Sequence, residues 1–167
     1  IEDEFLLRGR TLEDAQRWLG AMVRDRGLKG DLARPKHDLP SAPAGEGRAF
    51  EADGTNLGAL EAWFSNAALV LTPFAERISA GEVRGWPHHF DLAALKTLDD
   101  EVTGEDAPSV NVGFSPGDDR FSTPYFYVTP WPKPSPSGTL PALPAKGTWN
   151  TEGFFAAVLL GTDLPAG

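Results

Sequence analysis

Apolar residues recur at helical spacing twice in the first half of the chain, and after Gly81 the period shortens to alternation. Leu12, Ala15, Leu19, Met22 and Val23 line one side of a first segment that runs up to Gly27, with Glu13, Arg17, Arg24 and Asp25 on its solvated side. Thr11, followed three residues later by Asp14, caps its start. A second segment carries a wider stripe of Leu57, Leu60, Trp63, Phe64, Ala67, Ala68 and Leu71, with Asn56 as its N-cap. Pro73 lacks an amide donor and crowds the preceding turn, so Phe74 to Ile78 is either a kinked continuation or a separate last turn, closed by Gly81. Between the two helices, prolines at 35, 40 and 43 and glycines at 30, 45, 47 and 54 interrupt every period. Residues 29 to 54 are therefore expected to form a long irregular connector.

The second half reads as strands. Segment 84 to 98 is expected to pair with 109 to 115 across the acidic loop of residues 99 to 106, because Val110, Val112 and Phe114 alternate with smaller residues. Pro116 and Gly117 suit the two central positions of a type II turn. Tyr125 to Thr129 forms a further strand, and seven prolines between 124 and 144 make the stretch that follows stiff and unable to donate to a ladder. Residues 149 to 160, rich in β-favouring side chains, are read as a last strand. No internal repeat is present. Two helices followed by several strands predict an α+β fold: an antiparallel sheet of about four to six strands with the two N-terminal helices packed on one face.

At 167 residues, 41% hydrophobic and 23% charged, the chain suits a single globular domain spanning residues 1–167, with 1–54 as helix and connector and 55–167 as helix plus sheet. A net charge of -9 provides no basic stripe for a phosphate backbone or an anionic membrane, so neither nucleic acid nor membrane is expected as a partner. No apolar run approaches the roughly 20 residues of a membrane span, and with no cysteine a cytoplasmic location is expected. The chain opens on Ile1 rather than Met, which fits trimmed ends.

Candidate chemistry concentrates in Trp86-Pro87-His88-His89-Phe90-Asp91, which holds two of the three histidines beside a carboxylate and an indole. On a strand His89 and Asp91 share a face while His88 points to the other, so only His89 joins the carboxylate. That pair can be structural, with Asp91 fixing the imidazole tautomer, or it can position or deprotonate a ligand. Two N/O ligands fall short of a metal site, and a third would have to come from Glu152 or Asp118; no metal and no cofactor are expected. Tyr125, Tyr127, Thr129 and Trp131 fall on one strand face, which is either core or the floor of a groove. Gly113-Phe114-Ser115-Pro116-Gly117 has the spacing of a nucleophile elbow, but Pro116 has no N–H to offer an oxyanion, so Ser115 is a turn residue. The loop of residues 99 to 106 lacks EF-hand spacing, and His37 stands alone in the connector.

Two functional expectations follow. The first is a small-molecule-binding domain with an aromatic pocket built from Trp86, His88, His89, Asp91, Tyr125, Tyr127, Trp131 and Trp149 on the side of the sheet away from the helices. The second is a hydrolase or isomerase with His89 as general base, Asp91 as its orienter and Glu152 or Asp118 as acid. A module whose histidines only complete the core is the remaining alternative.

Taken together, Trp86 to Ala93, Gly113 to Asp118, Pro124 to Pro132, and Trp149 with Thr151-Glu152-Gly153 resemble an uncharacterised family of bacterial proteins over roughly residues 55 to 160. In that family the last motif often reads H-W-H-T-E-G, with histidines where this chain has Thr148 and Asn150. The resemblance implies a shared fold and names no reaction. If those histidines bind metal in relatives, it also implies that this chain has lost the site.

Overall fold

The computed structural model describes residues 4–28, 43–51, 54–87, 89–99, 101–104, 106–135 and 139–164. Contacts divide the chain into two compact units, Ile1–Leu57 and Gly58–Gly167. The first holds α1 (Leu12–Asp25), started by a complete capping box in which Thr11 and Asp14 satisfy each other's amides. The ring of Phe5 stacks on Trp18 at 5.2 Å, and Arg8 bridges to Phe50 in parallel. Most of the expected connector, with His37, lies outside the described residues.

The second unit contains nearly all of α2 (Gly54–Arg77) and a six-stranded antiparallel sheet, so the fold is α+β. The strands are β1 (Arg84–Trp86), β2 (Asp91–Thr97), β3 (Ser109–Ser115), β4 (Tyr125–Trp131), β5 (Thr148–Asn150) and β6 (Ala156–Leu160), in the order β1-β2-β3-β4-β6-β5. A 3-10 turn, Gly161–Asp163, follows β6.

The helical stripe buries Ala67, Leu71 and Ala75, spaced by four, against one face of the sheet. Phe114 is fully buried there between the rings of Trp63, Phe64 and Phe126, and Ala94 and Val112 continue the layer. Four sequence expectations are corrected. Asn56 lies inside α2 rather than capping it. The helix runs through Pro73 and closes before Gly81: Ser79 takes a left-handed φ of 53°, with its amide and that of Ala80 bonded back to Glu76 and Ala75. Segment 84 to 98 is not one strand, since the chain reverses between β1 and β2, which pair antiparallel. Likewise the run from Trp149 to Leu160 is a hairpin, broken at Gly153 with φ 72°.

Pro130 sits inside β4 without damage. Strand β6 pairs only with Tyr125 to Val128, so beyond that point one edge of β4 needs no donor.

Candidate functional site

Period-two geometry sends Asp91, Ala93 and Leu95 of β2, Asn111, Gly113 and Ser115 of β3, and Tyr125, Tyr127 and Thr129 of β4 to the sheet face opposite α2. That face carries a hollow of about 550 Å³ lined by Trp86, His89, Asp91, Leu95, Asn111, Ser115, Asp118, Tyr125, Tyr127, Thr129 and Phe154. Its volume falls within the range of small-molecule sites, roughly 300 to 1,000 Å³.

The floor is built by an omission. Gly113 faces Tyr127 across the β3–β4 pair, and a Cβ there would come within 2.5 Å of the tyrosine ring and hydroxyl. With no side chain in the way, the phenol crosses β3 and donates its hydrogen bond to Asp91 Oδ2 on β2. Beside it, Tyr125 donates to Asp118 Oδ2 at 2.6 Å. The two rings lie 6.1 Å apart, so the floor holds two phenol–carboxylate pairs side by side.

The carboxylates differ in what else they do. Asp118 Oδ1 accepts the amides of Arg120 and Phe121, both at 2.8 Å, and so organises the turn after β3. Burial pushes the Asp118 carboxyl up, but the bonds from Tyr125 and the two amides, with the charge of Arg120, outweigh it and hold the group below its ordinary value. Asp91 is only 7% exposed, and its Oδ1 has no hydrogen-bond partner; Asn111 Oδ1 in the same hollow is equally orphaned. Burial first, then the bond to Asp118, raises the Tyr125 phenol, while Ser115 acts the other way. Burial and then Asp91, through its bond and its charge, raise Tyr127 further. Both phenols are neutral donors at physiological pH.

The hollow brings Trp86, His89, Asp91, Tyr125 and Tyr127 together. His89 reaches it from the β1–β2 turn rather than from a strand, because Phe90 takes a left-handed φ of 52°. The hydroxyl of Tyr127 supplies the hydrogen bond to Asp91 that the sequence assigned to His89. His88 lies outside the described residues. Trp131, 52% exposed, lines a neighbouring hollow with Ser109, Asn111 and Thr129.

Trp149 is on the other face. It pairs with Ala157, which pairs with Val128, and its Nε1 donates to the Pro141 carbonyl at 2.7 Å. Glu152 is a surface group, its side chain 81% exposed and 3.0 Å from the Arg120 guanidinium. Ser115 Oγ accepts the Gly117 amide, as a turn residue does. Sequence reasoning missed Asn111 and the part played by Gly113, although a glycine in mid-strand signals a close approach. Among the described residues no three His, Cys, Asp or Glu side chains converge as a metal would need, and no helix is long and apolar enough to cross a membrane.

No protein-family model matches the chain, and no curated protein or solved structure matches it either.

Proposed function

We propose that this chain is a small-molecule-binding domain whose ligand occupies the hollow opposite α2. The observation that carries the reading is convergence: groups from β2, β3, β4 and two turns meet around about 550 Å³ that side chains leave unfilled. Aromatic rings of Trp86, Tyr125, Tyr127 and Phe154 supply apolar contact, while Asp91, Asn111 and His89 supply orientation. The hydrolase or isomerase reading needs an acid in the same cleft. Glu152 lies outside its lining, and Asp118 already accepts three hydrogen bonds.

The test is a thermal-shift screen of water-soluble metabolites against the wild type and Leu95→Trp. Leu95 is half-exposed on the rim, so an indole there fills the hollow without removing a hydrogen bond. A compound that stabilises the wild type and loses its effect in the variant supports the reading. Stabilising compounds that act equally on both proteins would place binding elsewhere.

A further inference from the structure

We infer that the ligand of this hollow, on the reading just proposed, is an organic cation bearing N–H groups, a primary amine, amidine or guanidine on an aromatic or apolar body, seated on Asp91. A buried carboxylate oxygen without a donor is costly, and folded proteins seldom leave one unmatched. Here there are two orphaned acceptors, Asp91 Oδ1 on β2 and Asn111 Oδ1 on β3, on residues that both line one hollow.

The three hydroxyls that β4 presents to that lining are already committed. Tyr127 donates to Asp91, Tyr125 to Asp118, and Thr129 Oγ1 to the Phe155 carbonyl at 2.6 Å. None of these three hydroxyls is left for Asp91 Oδ1 or Asn111 Oδ1, so N–H groups on a ligand have acceptors to meet.

Charge points the same way. The titratable groups around the hollow are Asp91, Asp118, His89 and the two tyrosines, with no Lys or Arg among the described lining residues. The nearby guanidinium of Arg120 is turned to Asn150 Oδ1 at 2.6 Å and to Glu152. An anionic ligand would face the Asp91 carboxylate with no Lys or Arg in the described lining to offset it, whereas a cation gains from it.

The walls favour an organic cation over a bare ion. Trp86, Tyr125, Tyr127 and Phe154 present rings to the space, and a ring face attracts an ammonium or guanidinium. A bare metal would need more free oxygens than Asp91 and Asn111 provide.

The experiment is isothermal titration calorimetry of phenethylamine and benzamidine against the wild-type chain, matched with phenethyl alcohol and phenylacetate. Binding of either cation with at least about tenfold preference over the alcohol, and rejection of phenylacetate, is expected. Asp91→Asn, folded by near-ultraviolet circular dichroism, is expected to weaken cation binding about tenfold or more. Equal affinity for amine and alcohol overturns the inference, and this wild-type comparison stands even if Asp91→Asn does not fold. Unchanged cation binding in a folded Asp91→Asn overturns it too, as does failure of both cations to bind. A neutral or anionic compound that binds the wild type but not Leu95→Trp leaves a binding domain whose ligand is not a cation.

Discussion

Tyr127 reaches Asp91 across an intervening strand because Gly113, between them in the sheet, has no side chain to stop it. Adjacent strands lie about 4.8 Å apart, so side chains two strands apart normally have a third between them. Removing that third side chain converts a β4 phenol into a partner for a β2 carboxylate and leaves the hollow's floor flat. A methyl in place of one hydrogen at Gly113 would thus be felt at three strands.

Gly113→Ala is expected to push the Tyr127 ring aside, since the new Cβ would stand 2.5 Å from ring carbon and hydroxyl. Overpacking of this kind costs about 1 to 3 kcal/mol, with a further loss from the broken bond to Asp91. Urea unfolding of Gly113→Ala, Tyr127→Ala and the double variant measures the coupling. The alanine at 113 should cost much less once the ring is gone; an unchanged cost would mean the ring is not what the methyl meets.

Tyr125 and Tyr127 are the chain's only tyrosines, and both are held above the ordinary phenol value of 10.0. A raised value in the folded state means that folding holds the proton more tightly. Stability from this source is complete below about pH 10 and falls as pH rises beyond it toward the folded values. The absorbance of tyrosinate should therefore show no step near pH 10 in the native protein and one step for both residues on unfolding in denaturant. A native step near 10 would show that at least one phenol is not paired as described.

The legible parts of this molecule are those encoded within one element. The stripe through Ala67 and Leu71 marks α2 because residues four apart share a helix face, and Val112 with Phe114 marks β3 because alternate residues share a strand face. Tyr125 and Tyr127 are legible as a shared face for the same reason. What failed depended on breaks and on sheet order. Pro87 opens a turn that takes His89 off the strand, and the side-chain bonds of Asn150 fold the last segment into a hairpin that sends Trp149 to the α2 side. The Tyr127–Asp91 bond joins residues 36 apart in sequence, through a strand order that no single pattern contains.

The core beside α2 should respond more strongly than the hollow. Phe114 is fully enclosed by three rings, so Phe114→Ala removes apolar burial and leaves a cavity, at about 3 to 5 kcal/mol. Chemical denaturation would detect it as a lower midpoint with an unchanged slope. A loss below about 1 kcal/mol would contradict the packing around α2.

The hairpin after β5 offers a contrast between two neighbours that share Arg120. Asn150 is 6% exposed; its Oδ1 accepts from Arg120 Nε, and its Nδ2 donates to the carbonyls of Glu152 and Phe154. Asn150→Ala takes their partner from those carbonyls and from Arg120 Nε, and is expected to cost about 1 to 3 kcal/mol. Glu152→Gln removes only an exposed ion pair, and solvent screening keeps such a pair within about 1 kcal/mol. Urea unfolding of the two variants side by side gives the comparison. A larger loss for Glu152→Gln would mean that the ion pair, rather than the amide of Asn150, holds the turn, and would bring Phe154 and the rim of the hollow under the control of a surface charge.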